Sequence, residues 1–134
     1  MVYFISCACV DFFGRVLPLL PALSELEITA LHGKMEPKKR NGVFAKFSEK
    51  QGGVLLCTDV AARGLDIPDV DWVIQFDAPQ DPSQFVHRIG RTARLGKRGQ
   101  SLLFVTPSED TYVSFLQARK IPIVEKELTV CTPS

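Results

Sequence analysis

Apolar residues recur along the chain in two rhythms, and each predicts a different kind of element. Val54-Leu55-Leu56-Cys57-Thr58 and the run from Trp72 to Phe76 are apolar on both faces, which suits central strands of a parallel sheet. Val2 to Ser6 is a β-rich run at the very terminus, so the chain is expected to begin inside or just before a strand. Glu27 to Leu31, Gln100 to Thr106 and Ile121 to Val124 predict three further strands. The segments between them follow the helical period. Val10 to Leu20 is helical until Pro18 ends or kinks it, and Pro37 opens a helix through Phe47 with Val43, Phe44 and Phe47 inward and Lys38, Lys39 and Lys46 outward. Ser108 caps a helix running to Lys120. Thr58 to Pro68 reads as a loop with at most one helical turn. Strand and helix alternate at least four times, which predicts a parallel sheet with helices on both sides and right-handed crossovers. No repeat, low-complexity segment or linker interrupts it, and the last few residues are expected to fray. Ligands of such sheets bind beyond the carboxyl ends of the strands. Ser6-Cys7, His32-Gly33-Lys34, Thr58-Asp59 and Asp77 all follow predicted strands, so they should share one rim.

One stretch, Asp81 to Gly99, breaks the usual pattern of a solvated face. Asp81, Pro82 and Gln84 form a helix start, and Gly96 supplies the stop. Residues spaced about 100° apart put Phe85, Val86, Ile89 and Ala93 on one arc and His87, Arg88, Arg91 and Arg94 on the other. Solvated faces interleave their signs, yet no Asp or Glu occurs from Pro82 to Ser108 while five Lys or Arg do. Arginines at this spacing repel unless an anion lies between them. Their planar forks suit phosphate, so a polyphosphate or a nucleic-acid backbone is the expected partner.

The totals narrow this reading. A chain of 134 residues fits one domain with an ordinary core, and a net charge of +1 excludes a histone-like binder. Nucleic-acid contact must come from local clustering. No apolar run approaches the roughly 20 residues of a membrane span, and the first residues lack the basic flank of a signal peptide, so no membrane and an intracellular setting are expected. The cysteines at 7, 9, 57 and 131 lack the spacing of zinc ligands and read as buried reduced thiols; no metal site is expected.

The loop Thr58-Asp59-Val60-Ala61-Ala62-Arg63-Gly64-Leu65-Asp66 could by itself be a capped turn, with Gly64 at positive φ and Pro68 as its stop. Paired with His87-Arg88-Ile89-Gly90-Arg91-Thr92-Ala93-Arg94, it resembles motifs V and VI of the DEAD-box RNA helicases, in the order and spacing of their second RecA-like domain. His32-Gly33 with Arg40, and Tyr3-Phe4-Ile5-Ser6, are similar to motifs IVa and IV. The resemblance covers nearly the whole chain and is most pronounced, over Cys7-Ala8-Cys9 and Leu31 to Phe47, with members acting in ribosome assembly. It implies an α/β, RecA-like three-layer sandwich with a central, mostly parallel sheet. It also implies that Arg91 and Arg94 are arginine fingers on the γ-phosphate of ATP, that Asp66 meets the ribose, and that His87 and Arg88 link to a partner domain. Ser6, Gly33, Arg40 and Thr58 would face RNA phosphates, partly through backbone N–H groups, a base-blind mode of contact. Two positions depart from the family pattern: Ala93 stands where a glycine is usual, and Pro37 replaces the polar residue that usually starts the motif IVa helix.

Neither Gly33-Lys34 nor Gly96-Lys97 completes a GxxxxGK[ST] phosphate loop, and no DEAD-like acidic run for magnesium is present. The expectation is half of an ATP site. The chain would be the C-terminal lobe, residues 1–134, of a longer two-domain ATP-dependent RNA helicase. ATP with Mg2+ would be held mainly by the N-terminal RecA-like domain, and the isolated lobe would be inactive. Expected partners are RNA, that N-terminal domain and pre-ribosomal particles, for a monomer of the nucleus and nucleolus. The alternative is a non-catalytic RNA-binding or protein-docking module that keeps the lobe fold.

Overall fold

The computed structural model describes residues 1–93 and 96–128. They divide into two compact units, Met1–Phe104 and the segment from Val105 onward.

The first unit is built on five strands: β1 (Val2–Tyr3), β2 (Ile28–Leu31), β3 (Val54–Cys57), β4 (Trp72–Gln75) and β5 (Gln100–Leu103). They form one sheet in the order β2-β3-β1-β4-β5, every pair parallel. The expected mostly parallel sheet is thus wholly parallel. Four helices accompany it: α1 (Cys7–Val16), α2 (Pro37–Ser48), α3 (Asp59–Ala62) and α4 (Pro82–Ile89). Alternation along β3 shows why both faces need cover. Leu55 and Cys57 join Tyr3, Leu31 and Val73 on one face, where Val43, Phe44 and Phe47 of α2 pack. Leu56 joins Phe4 and Val10 on the other face, against Cys9 and Phe13 of α1. Pro18 ends α1 as the sequence predicts, and the chain continues in two 3-10 turns, Leu17–Leu19 and Pro21–Leu23.

Several elements, β5 and the helix Asp110–Ala118 among them, are shorter than the hydrophobic pattern implies, and in β1 and α4 the cause is visible. β1 stops at Tyr3 because the amide of Ile5 donates to Asp77 Oδ2 (2.9 Å), and Ser6 Oγ accepts from the amide of Cys9 (3.1 Å) to cap α1. α4 ends at Ile89 rather than continuing toward Gly96. Beyond Gly90 the amides of Arg91 and Thr92 bond three residues back, to Arg88 (3.2 Å) and Ile89 (3.1 Å), and the carbonyl of Arg91 accepts from the amide of Val70 (3.1 Å). The Thr92 hydroxyl donates to the carbonyls of Val70 and Asp71. These tertiary bonds replace the next helical turn.

In the second unit Thr106 and Glu109 form a reciprocal capping box over the turn Pro107–Glu109, which leads into α5 (Asp110–Ala118). The two Thr106 bonds hold the Glu109 carboxyl below its usual range. Ser108, expected as the cap, instead lies inside that turn. Residues 121–124 form no strand, contrary to expectation. The amide of Ile121 is spent closing α5 on Leu116 (3.2 Å), and Pro122 has no N–H to offer a sheet.

Candidate nucleotide and nucleic-acid interface

The rim beyond the strand ends collects the residues that the alternation assigns to it. Ser6 follows β1, His32-Gly33 follow β2, Thr58-Asp59 follow β3 and Asp77 follows β4. Ser6 and Thr58 are both N-caps: each hydroxyl accepts from a backbone N–H three residues on, at 3.1 and 3.4 Å. The hydroxyls are therefore engaged within the fold. The helix starts α1 and α3 are what these positions offer to an anion. His32 is buried and held by Asp11 of α1 (Nε2 to Oδ1, 2.9 Å), while its Nδ1 has no partner among the described residues. Gly33 stands against Val60, whose Cγ1 would lie 3.2 Å from any added Cβ. Arg40 is half-buried on the first turn of α2, between the exposed pair Lys38 and Lys39 and the exposed Asn41.

The arginine helix differs from its predicted arcs. Val86, placed on the apolar arc, is 50% exposed, whereas Arg88, placed on the cationic arc, is 1% exposed. The inward positions are Phe85, Arg88 and Thr92, with Ile89 half-buried. Arg88 is neutralised in place. Its Nε and Nη2 each donate to one oxygen of Asp59 at 2.7 Å, a fork-on-carboxylate pair. Its Nη1 donates to the carbonyl of Asp77 (2.7 Å) and to Gln75 Oε1 (3.2 Å), and the guanidinium lies 5.0 Å from the centre of the Tyr3 ring. Four of the five guanidinium N–H groups of Arg88 are thus bonded inside this unit. His87, beside it, is exposed.

Arg91 is placed otherwise. It is half-buried, its Nε is buried with no partner among the described residues, and it lines a cavity of ≈ 310 Å³ with Tyr3, Asp59, Ala62, Arg63, Gln84, His87 and Arg88. Burial raises the Tyr3 phenol well above its ordinary range, so it enters this cavity as a neutral hydroxyl. Arg91, Arg88 and His87 are thus brought together. Asp66 is not: it is exposed beyond Gly64, which takes φ +77, and does not line the cavity. Arg94 lies outside the described residues. Ala93, expected on the apolar arc, is exposed and takes φ +56, the left-handed region that favours the glycine usual there. Gly99 passes so close to Thr92 and Ala93 that a Cβ would strike the Thr92 hydroxyl and the Ala93 amide.

Sequence reasoning missed Tyr3, Arg63 and Gln84 as cavity residues and Gln75 as a partner of Arg88. Gln75 left a signal: it is the one amide inside a run otherwise apolar on both faces. Among the described residues no group of His, Cys, Asp and Glu could hold a metal ion, and no helix is long and apolar enough to cross a membrane. Cys57 is buried, and burial pushes its thiol up to about 12; Cys7 and Cys9 are only half-buried, against expectation, and Cys131 lies outside the described residues.

The strand-end rim of this parallel α/β unit thus carries the capped starts of α1 and α3, and beside it Arg91 lines a cavity with its Nε unpartnered among the described residues. The helicase conserved C-terminal domain family matches residues 2–96, and the chain belongs to it. DEAD-box ATP-dependent RNA helicase 49 of Arabidopsis thaliana is 50% identical over 127 residues, covering 95% of this chain and 23% of that protein. ATP-dependent RNA helicase DDX55 of Mus musculus is 48% identical over 129 residues, covering 96% of this chain and 21% of its own length. The chain thus spans about a fifth of the curated relatives it matches. Among solved structures, domain 2 of the DEAD-box helicase Mss116p, bound to an RNA duplex, superposes with a TM-score of 0.83 at 34% identity, over 96% of this chain and 52% of that one. The similarity fixes the RecA-like lobe as the fold.

Proposed function

We propose that this chain is the C-terminal lobe of an ATP-dependent DEAD-box RNA helicase and contributes half of an ATP site and a phosphate-reading RNA surface. The observation that carries the reading is Arg91, which lines a cavity with its buried Nε unpartnered among the described residues, in a chain that belongs to the helicase C-terminal family. Its planar fork suits two oxygens of the transferring phosphoryl group. Arg94 would act beside it, Asp66 would meet the ribose, and exposed His87 would face the other lobe. Closure of the two lobes would bring Arg91 to the γ-phosphate, where charge stabilisation acts mainly in the transition state. Magnesium neutralises phosphate charge in such reactions. No carboxylate cluster among the described residues suits it, so it falls to the other lobe with the phosphate cradle.

RNA phosphates would be met at Ser6, Gly33, Thr58 and Arg40, the first three through backbone N–H groups at helix starts and a strand-end turn. The solved structure of Mss116p DEAD-box helicase domain 2 bound to an RNA duplex supports RNA binding by a lobe of this kind. Pre-ribosomal particles, and hence the nucleus and nucleolus, are the setting that the family resemblance implies for a monomeric enzyme.

The test compares this chain alone with a two-lobe protein that contains it. The lobe alone is expected to bind RNA weakly and to hydrolyse no ATP, whereas the two-lobe protein hydrolyses ATP when RNA is added. Magnesium-dependent, RNA-stimulated turnover by this chain alone would overturn the half-site reading.

A further inference from the structure

Arg88 is held by four residues drawn from three places on the rim: Asp59 after β3, Tyr3 at the end of β1, and Gln75 with Asp77 at the end of β4. Asp59 opens α3 beside its cap, Thr58, and takes the Nε and Nη2 edge of the fork. Asp77 accepts from Nη1 through its carbonyl, while its carboxylate holds the amide of Ile5, one residue before Ser6. Gln75, the last residue of β4, gives Nη1 a second acceptor, and Tyr3, the last of β1, lies under the guanidinium. One turn further on, the amide of Arg91 donates to the carbonyl of Arg88 (3.2 Å). Arg88 therefore touches the residue next to Thr58 directly and reaches the loop that carries Ser6 through Asp77, and the residue bonded to its carbonyl is the arginine that lines the cavity.

We propose that Arg88 is a positioning residue, a strut through which RNA occupancy at Ser6 and Thr58 sets the place of Arg91, with Gln75 fixing its angle. The inference deepens the helicase reading and rests on it. Charge neutralisation needs only Asp59. A fork tied along one edge to one carboxylate can still pivot about that edge, and Gln75 with the Asp77 carbonyl ties the other. Gln75 is 0% exposed, and its Nε2 has no partner among the described residues. A buried amide with an unmet N–H is unfavourable, so the bond its oxygen accepts is the gain that accounts for an amide there.

The experiment uses a two-lobe protein containing this chain, with RNA-stimulated ATPase and RNA affinity in AMP-PNP as readouts. Gln75→Leu removes the acceptor at similar volume. It is expected to lower kcat at saturating RNA by about 10-fold, with the KM for ATP and the RNA affinity changing less than about 2-fold. Gln75→Glu restores an acceptor and should recover most of the rate. The deciding arm is a double-mutant cycle: in an Arg91→Ala background, Gln75→Leu should cost less than about 2-fold, because a residue acting through Arg91 has nothing left to position. A fold defect would instead lower rate and melting temperature equally in both backgrounds, and that result overturns the strut. Should Gln75→Leu not fold, Gln75→Asn, which shortens the reach by one methylene, carries the same expectations. A wild-type protein whose ATPase does not respond to RNA would overturn the helicase reading itself. A responsive wild type with an indifferent Gln75→Leu would overturn the strut alone.

Discussion

α2 and α4 are both basic amphipathic helices by sequence, yet their cations do opposite things. On α2, Lys38, Lys39 and Lys46 stand in solvent and make no ion pair among the described residues. On α4, Arg88 is buried against Asp59, Gln75, Asp77 and Tyr3, and just past its end Arg91 lines a cavity with its Nε unpartnered among the described residues. The acceptors separate the two helices. Asp59 comes from α3, and Gln75 and Asp77 from the end of β4 and just beyond it, all outside α4, so the charge pattern of a helix does not by itself say which of its arginines is structural. Arginine suits the interior role because its fork can satisfy several acceptors at once while its stem packs.

The comparison can be broken at its strongest point first. Removing Asp59 strands the Arg88 charge in the core, so Asp59→Ala should cost about 3 kcal/mol, the lower end for a broken buried pair because Asp59 is partly exposed. Lys38→Ala on α2 should stay within about 0.5 kcal/mol. Urea denaturation of this chain measures both, and equal costs would mean that the two helices do not differ in kind.

Arg91→Lys comes next. In a two-lobe protein it keeps the charge and loses the fork. An arginine finger is worth roughly 10³–10⁵ in rate, and the retained charge with a neighbouring Arg94 should soften the loss to about 10²-fold, with RNA affinity in a non-hydrolysable ATP analogue little changed. Thr92→Ser keeps the hydroxyl that bonds the Val70 and Asp71 carbonyls and should change little. Normal turnover by Arg91→Lys, or a parallel fall in RNA affinity, would make the arginine face a backbone clamp.

A smaller effect, of opposite sign, is expected just past the helix. Ala93 takes φ +56, so Ala93→Gly should raise stability by about 1 kcal/mol, read as a higher denaturation midpoint. An unchanged or lower midpoint would show that the left-handed geometry carries no strain. pH offers a related reading. The folded Cys57 thiol titrates near 12 while an unfolded one titrates near 9, so between these values the folded state holds the proton that the unfolded chain loses. Stability should therefore fall as pH rises from about 9 toward 12, and Cys57→Ala should flatten that slope.

The smallest effect concerns α2. With about two to four phosphates neutralised, the log–log salt slope for single-stranded RNA should be roughly −1.5 to −3. Arg40→Ala should make it shallower by about 0.7, and a slope that does not move would take Arg40 out of the interface.

Most of the sheet was legible because burial on both faces leaves a run with little or no polar interruption, unbroken in β3 and broken only by Gln75 in β4. The strand-end rule then gathered Ser6, Gly33 and Thr58 correctly. What stayed hidden depended on bonds between distant segments. α4 could not be ended at Ile89 from its own residues, since Val70 and Asp71 recruit Arg91 and Thr92. The inward turn of Arg88 was invisible for the same reason: a periodic pattern counts an arginine as outward unless its acceptors are known. At residues 121–124 the apolar run outweighed the local meaning of Pro122, which was in plain view.

The strand order carries a consequence for how the chain is made. Val2 of the middle strand pairs with Leu56 on one side and Ile74 on the other, so the centre of the sheet is supplied by the earliest residues and completed by late ones. Synthesis proceeds from the amino end, and β1 must wait through α1, β2 and α2 before either neighbour exists. Such non-local pairing makes folding slow. During that wait Tyr3 and Phe4 are exposed, and a nascent chain stalled before β4 presents an open apolar strand edge to its surroundings. Aggregation of the nascent lobe is thus favoured until β4 covers that edge of β1, and β4 in turn is covered only when β5 pairs with it.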